Sequence, residues 1–414
     1  MSFVQKLVCV CCGREYEDND LEYYCPTCGY QDGILDVKYD YDAVEKVLNP
    51  SVLFNTKDRS MWRYLPLLPI RDTAHIQHLQ VGWTPLYSAS RLALKLGVAQ
   101  CYVKDEGRNP TASFKDRASA IGVIKALEKN AARITCASTG NAASSLAGFA
   151  AAAGLPATIF VPERAPQAKL AQLLIYGAQV FVVEGTYDQA WELCMKASVE
   201  FGWYNRNCAI NPYLIEGKKT VALELIEQVL VDQQGNLPDW VVVSVGDGCT
   251  VGGVWKGLWE MKRLGFISRV PKILGVQADG CKPFLTAWTD DKPLVPVEAN
   301  TIADSIAVGH PRNFYKGLQA IRKSQGSFVA VDDDEIGWAM KTLAREAAVF
   351  GEPAGVAGVA GVRTAVQRGI IKHSETVAII MTGNGLKDIQ SAIQFTGAPN
   401  RIAPSITAVK EVLR

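Results

Sequence analysis

The stretch Asn109-Pro110-Thr111-Ala112-Ser113-Phe114-Lys115-Asp116-Arg117 governs how the rest of the chain is read. Asn-Pro opens a turn, and Ser113 followed three residues later by Asp116 predicts a capped helix start. Lys115 then falls in the first helical turn, beside unsatisfied backbone N–H groups and the positive end of the helix dipole. That environment, with desolvation in a closed site, disfavours the ammonium and favours the free amine. A neutral, oriented lysine amine forms imines with aldehydes. Taken alone, the stretch is equally an ordinary capped helix carrying a surface lysine, so the surrounding pattern has to decide.

Around it, short β-branched runs alternate with segments of helical length. Strands are expected at Gln100–Lys104, Arg133–Ala137, Ala157–Val161, Val180–Val183, Val241–Val245, Ile273–Val276, Phe328–Val331 and Val377–Met381. Asp332 with Glu335 marks a further helix start, and Gly154 and Gly177 mark helix ends. This alternation specifies an α/β fold with mostly parallel sheets covered on both faces.

In such sheets ligands gather where strand C-termini meet helix N-termini, and three loops there carry chemistry. Ser138-Thr139-Gly140-Asn141 precedes the small-residue helix Ala142–Ala153. Its hydroxyls, amide and exposed N–H groups suit a carboxylate. Gly246-Asp247-Gly248-Cys249-Thr250-Val251-Gly252-Gly253 follows the strand Val241–Val245 and precedes a helix expected near Val254. Its glycines let backbone N–H groups close on a phosphate, without the Lys-Ser/Thr of a Walker loop or the dinucleotide glycine spacing. Thr382-Gly383-Asn384-Gly385-Leu386-Lys387-Asp388 puts a hydroxyl at the mouth of the sheet. The first two loops, each alone, are also readable as simple turns. Together, imine lysine, carboxylate loop, phosphate loop and terminal hydroxyl describe a pyridoxal phosphate site.

Asn109–Arg117, Ser138–Asn141, Glu216–Thr220 (Glu-Gly-Lys-Lys-Thr) and Thr382–Asp388 resemble the threonine synthase family of fold type II pyridoxal phosphate enzymes, across about residues 80–390. The resemblance implies a catalytic region over 81–400 in two subdomains, the smaller at about 105–220 and the larger from 81–104 and 221–400, with a tail at 401–414. It implies that Lys115 is the catalytic Schiff-base lysine and that Phe114 packs beside the cofactor ring. Asn141 would bond the ring's 3′-oxygen, and Thr382 would face the pyridine nitrogen. Gly246, Asp247, Gly248, Cys249 and Thr250 would hold the cofactor phosphate, and Ser138, Thr139, Gly140 and Asn141 the substrate. The implied activity is a carbon–oxygen lyase turning O-phosphohomoserine into threonine and phosphate, in a homodimer.

The chain departs from the family pattern where a substrate phosphate would bind. A threonine, a serine and an arginine are replaced by Ala142, Ala209 and Leu214, and Gly-Asn-Ala-Gly-Asn by Gly-Asp-Gly-Cys-Thr. Arg108, Lys218 or Arg312 could substitute. Otherwise the same machinery suits β-elimination or β-replacement on a serine-, threonine-, O-phosphoserine- or diaminopropionate-like amino acid. A non-catalytic cofactor or amino-acid sensor is a third reading, against which an intact Lys115 argues. Ala303–Ile306 with Pro311–Asn313, and Gly351–Ala354, are read as candidates for the substrate side, with an Asp304–Arg312 loop salt bridge as the alternative.

Upstream, Cys9-x-x-Cys12 and Cys25-x-x-Cys28 can present four thiolates to a structural zinc ion, forming a ribbon over residues 1–35. Cys11 leaves the first pair ambiguous. Residues 36–80 read as a connector packed on the body. The other six of eleven cysteines are scattered singly, as reduced thiols are. Nothing basic or aromatic beside the ribbon favours nucleic acid. With 414 residues, 48% hydrophobic and 21% charged, the chain has an ordinary globular composition. Its 43 basic and 42 acidic side chains leave a net charge of +1, so no field draws nucleic acid or an anionic membrane. No apolar run approaches the roughly 20 residues of a membrane span, and no signal-peptide core is present, so a cytoplasmic protein is expected.

Overall fold

The computed structural model describes residues 2–18, 23–163, 167–208, 210–231 and 236–413. Near the N-terminus, β1 (Val4–Cys9), β2 (Glu15–Tyr16) and β3 (Leu35–Tyr39) form an antiparallel sheet in the order β2-β1-β3. The strand after the second cysteine pair therefore shares a sheet with the strand that carries Cys9. Then follow β4 (Leu86–Ser88), β5 (Gln100–Asp105), β6 (Ile134–Ala137), β7 (Ala157–Pro162), β8 (Gln179–Val183) and β9 (Tyr204–Asn205). The last strands are β10 (Trp240–Ser244), β11 (Lys272–Ala278), β12 (Ser327–Val331) and β13 (Thr376–Met381).

All eight strands expected from β-branched runs are present, within two residues at either end. They fall into a six-stranded sheet, β12-β11-β10-β13-β5-β4, and a four-stranded sheet, β8-β7-β6-β9. Every pairing in them is parallel except β4 with β5. Burial explains the composition. Every residue of β10 is buried, as its Val241-Val242-Val243 run requires when helices cover both faces. The edge strand β8 has no buried residue.

Five helices position the cavity: α1 (Lys115–Glu128), α2 (Asn141–Ala152), α3 (Tyr213–Val231), α4 (Cys249–Arg263) and α5 (Pro353–Gln367). Helices α1, α3 and α4 meet backbone to backbone through glycine. A Cβ at Gly217 of α3 would overlap the Arg117 carbonyl of α1, and one at Gly257 of α4 would lie 2.5 Å from the Lys219 carbonyl. Gly154 and Gly177 follow α2 and the helix Gln167–Ile175 with positive φ, as expected of helix ends. Asp332 and Glu335 form a reciprocal capping box.

Two expectations change. The helix expected near Val254 starts at Cys249, because Gly248 adopts φ +89° and turns the chain directly into the helix. Cys249, Thr250 and Val251 are thus first-turn residues rather than loop. Ser113 also does not pair with Asp116. Asp116 reaches back to the Thr111 N–H at 2.6 Å and to its hydroxyl, while the buried Ser113 hydroxyl has no partner. The turn before Lys115 is tight enough to force Ala112 to φ +64°, a strained value for a residue with a Cβ.

Between α1 and α3 lies a buried charge lattice. Arg117 donates to Glu106 (2.7 Å) and Glu224 (3.0 Å), and Lys104 to Glu224, to Gln228 (2.7 Å) and to the Thr84 carbonyl (2.6 Å). Between α3 and α4, Lys219 pairs with Glu216 (2.7 Å) and Glu260 (2.8 Å), and Lys256 with Glu216 (2.7 Å). Each of these cations ends on a carboxylate, as buried charge must to offset desolvation.

Candidate active site

The C-terminal ends of β6, β9, β10 and β13 converge with Lys115 on a cavity of about 760 Å³. Lys115, Ser138, Thr139, Gly140, Asn141, Gly246, Asp247, Gly248, Cys249, Thr250 and Thr382 all line it. The sequence-derived positions are therefore brought together from three loops and one helix start. Phe114 is the exception. It is fully buried, with its ring centroid 5.9 Å from the Lys115 amine, and lies behind the cavity wall rather than on it.

Lys115 is the first residue of α1. Its neighbour Phe114 donates its N–H to the Thr382 carbonyl at 2.9 Å, and Ser113 bridges to Gly383, so the lysine turn is tied to the loop after β13. Among the described residues no hydrogen bond or ion pair reaches the Lys115 amine. Burial, then the nearby charges of Lys218 and Arg206, lower its pKa to about 8. The shift runs in the expected direction, with the two cations adding to desolvation, and at a pKa of about 8 the amine is still mostly protonated at neutral pH.

Asn141 opens α2, where Gly140 leaves the helix N–H groups exposed to the cavity. Its side-chain amide donates to Glu352 Oε1 at 2.6 Å, and Glu352 in turn donates its backbone N–H to the Gly383 carbonyl at 3.0 Å. Gly383 has no alternative, since a Cβ there would overlap the Glu352 carboxylate. Asp247 directs its carboxylate to neighbouring groups of the wall. Its Oδ1 accepts the Arg312 backbone N–H at 2.8 Å, and its Oδ2 lies 3.1 Å from the Cys249 sulfur.

Sequence reasoning missed the loop Arg206-Asn207-Cys208, which lines the cavity after the two-residue strand β9. β9 is too short to leave a hydrophobic pattern, so the only available signal was an Arg-Asn-Cys cluster just ahead of a helix. Arg206 is 1% exposed and donates to the Ser119 hydroxyl (3.0 Å) and the Cys208 sulfur (3.3 Å). Lys218 is 2% exposed. Neither cation has a carboxylate partner among the described residues. Cys208 and Cys249, two of the thiols expected to be isolated, meet here.

The departures from the family pattern also separate. Ala142 lines the cavity, but Leu214 does not. Leu214 is fully buried against α1, close enough that a Cβ at Gly122 would lie 2.9 Å from its side chain. Ala209 lies outside the described residues. Of the substitute cations, Lys218 and Arg312 reach the cavity, whereas Arg108 does not and is exposed. Arg312 stacks over Trp191 at 4.2 Å and pairs with Asp188 at 4.0 Å.

Pyridoxal phosphate fits this donor set. A depressed lysine waits for its aldehyde, and a glycine turn backed by the N-terminus of α4 waits for its phosphate. The buried Ser244 hydroxyl on the cavity wall has no protein partner. The fold and the cavity lining are those of a pyridoxal-phosphate-dependent enzyme, and the family model described as pyridoxal-phosphate dependent enzyme matches residues 78–383. The chain is 38% identical over 409 residues to the threonine synthase of Methanocaldococcus jannaschii and 39% over 411 residues to that of Methanosarcina acetivorans, with 98% of each chain covered in both comparisons. Among solved structures, the processed form of threonine deaminase isoform 2 from Solanum lycopersicum matches 76% of this chain and 87% of its own, with a TM-score of 0.64 and 25% identity. The chain belongs to the threonine synthase family of pyridoxal-phosphate-dependent lyases.

The four N-terminal cysteines also converge, with all ligand atoms within 4.8 Å of one another. Cys9 and Cys28 sulfurs lie 3.8 Å apart, and those of Cys12 and Cys25 3.7 Å. Tetrahedral zinc with Zn–S of about 2.3 Å sets S···S separations of roughly 3.8 Å, so the four residues fit that ion. No helix among the described residues is long and apolar enough to cross a membrane.

Proposed function

We propose that this chain converts O-phosphohomoserine and water to threonine and phosphate. One observation carries the reading. The cavity joins a carboxylate loop and a glycine turn to a wall holding Lys115, Arg206 and Lys218 with no carboxylate partner. Two phosphates, one on the cofactor and one on the substrate, call for that surplus of positive charge.

Lys115 would hold the cofactor aldehyde covalently, Asn141 and Thr382 its ring, and Gly246, Asp247, Gly248, Cys249 and Thr250 its phosphate, while Phe114 backs the lysine turn from behind the cavity wall. When bound, the cofactor supplies an electron sink for charge developing at the substrate carbons. Ser138, Thr139, Gly140 and Asn141 hold the substrate carboxylate at the N-terminus of α2, and Glu352 fixes the Asn141 amide. Once freed by the substrate amine, Lys115 accepts and returns protons at the α and β carbons, a task suited to a pKa near 8. Arg206, Lys218 and Arg312 take the leaving phosphate. Charge-assisted hydrogen bonds contribute roughly 1.5–3 kcal/mol each, so two or three outweigh the hydroxyl missing at Ala142.

Ala142 favours a second reading, because its methyl group lines the cavity where the family pattern places a hydroxyl. A cavity wall with one hydroxyl fewer for phosphate suits β-elimination or β-replacement on a serine-, threonine-, O-phosphoserine- or diaminopropionate-like amino acid. Turnover of purified protein with O-phosphohomoserine beside those four classes separates the readings. Threonine plus phosphate supports the first, and 2-oxoacid plus ammonia replaces it with the second. No borohydride-trapped cofactor on Lys115 overturns both.

The same reading extends to the rest of the chain. Cys9, Cys12, Cys25 and Cys28 hold structural zinc, supported by their sulfur spacing. The catalytic region acts as two subdomains closing on the cavity. The protein works as a cytoplasmic homodimer without nucleic-acid or membrane partners, consistent with its balanced charge.

A further inference from the structure

The reaction proposed above assigns no chemical step to the two thiols in the cavity wall. Cys208 lies on the loop after β9, and Cys249 opens α4, so elements far apart in sequence bring them together. The Cys249 sulfur is 3.4 Å from the Cys208 carbonyl oxygen, and Arg206 Nη1 donates to the Cys208 sulfur at 3.3 Å. The charged groups around the pair are Arg206, Lys218 and Lys115 on the Cys208 side and Asp247 on the Cys249 side. The two sulfurs are close enough to move each other's proton affinity in opposite directions. The hydrogen bond from Cys249, then Arg206, Lys218 and Lys115, hold Cys208 well below the usual thiol range against its burial. The Cys208 hydrogen bond and burial push Cys249 well above it. An attacking and a resolving cysteine have this division of roles.

We propose that Cys208 and Cys249 form an oxidisable pair, in which a hydroperoxide attacked by the Cys208 sulfur leads to a disulfide across the cavity wall. The Cys208 sulfur takes one peroxide oxygen as the O–O bond breaks, and with hydrogen peroxide the departing hydroxide gains a proton and leaves as water. The Cys249 thiol then attacks the resulting sulfenic sulfur. Its proton leaves with the sulfenic oxygen as a second water. Two electrons pass from the sulfurs to the peroxide.

The disulfide would matter to the site for two reasons. It removes a negative sulfur beside Arg206 and Lys218, raising the charge of the wall by one. It also ties the first turn of α4 to the loop before α3 and takes Cys249 from Asp247, which disturbs the glycine turn. Oxidised protein therefore loses cofactor affinity until reduced.

The test needs no turnover. Full-length protein is treated with stoichiometric hydrogen peroxide, and its peptides are mapped by mass without reduction. A cross-link between the peptides of Cys208 and Cys249, reversed by dithiothreitol, is expected. Cys249→Ser should instead trap a dimedone adduct on Cys208, formed about tenfold faster at pH 7 than on a buried single thiol such as Cys136. Cys208→Ser should leave Cys249 unlabelled by dimedone. Absence of the cross-link while Cys11 and Cys12 oxidise would overturn the proposal, as would dimedone labelling of Cys249 in Cys208→Ser as fast as that of Cys208 in Cys249→Ser. Circular dichroism establishes that both variants are folded. If the cross-link forms in protein that captures no pyridoxal phosphate, the pair stands and the enzymatic reading falls.

Discussion

Two groups of buried cations flank α1 and α3, and the molecule treats them in opposite ways. Arg117 and Lys104 sit in the lattice with Glu106 and Glu224, every cation meeting a carboxylate. Arg206 and Lys218, on the cavity side, meet only sulfur, hydroxyl and carbonyl groups among the described residues. Both groups are almost wholly buried. A lattice that neutralises itself holds helices together. A wall left positive has its balancing charge arriving from outside, in a ligand.

The sharpest way to break the contrast is Arg117→Met, which strands Glu106 and Glu224 without a guanidinium. A loss of about 3–5 kcal/mol in urea unfolding is expected, and a change below about 1 kcal/mol would show that the lattice is not structural. Lys115→Ala should do the reverse. Activity falls roughly 10²–10⁴-fold and borohydride traps no cofactor, while the melting temperature stays level or rises, because a buried charge without a partner has been removed.

Lys218→Met sharpens the same point more finely. Unfolding stability should change by less than about 1 kcal/mol, while competition by inorganic phosphate against substrate weakens by about 10–100-fold, the equivalent of one charge-assisted hydrogen bond. Unchanged phosphate competition would remove Lys218 from the substrate site. The smallest effect is in pH. Because Lys115 is depressed to about 8, the cost of its buried ammonium is complete below that pH and is relieved as pH rises toward the ordinary lysine value of about 10.4. Capture of pyridoxal phosphate, followed by its absorbance, should rise with pH up to about 8 and then level off. A rise continuing to pH 10 would mean the amine is not depressed.

The parallel strands were legible because Val, Ile and Ala runs buried on both faces leave a strong pattern, and Gly154 and Gly177 announce their turns. The site loops were legible because three glycine- and hydroxyl-rich stretches all follow strands, where an α/β sheet gathers its ligands. What escaped was relational. β9 is two residues long, so Arg206 and Cys208 had no element to anchor them. The Asn141–Glu352 bond joins residues 211 positions apart. The early start of α4 depended on Gly248 turning left-handed, which glycine allows but does not announce. Leu214 looked like a lost phosphate ligand, and only its packing against Gly122 shows that it serves the helix interface.

The glycine contact at Gly217, where α3 lies directly on the Arg117 carbonyl, also limits how such an enzyme can change its substrate. Helices fused this closely cannot slide to reshape a pocket without breaking the scaffold. New preferences must then arise by trimming or swapping side chains on a fixed frame, and the methyl of Ala142 and the sulfur of Cys249 are the kind of edits that constraint leaves open.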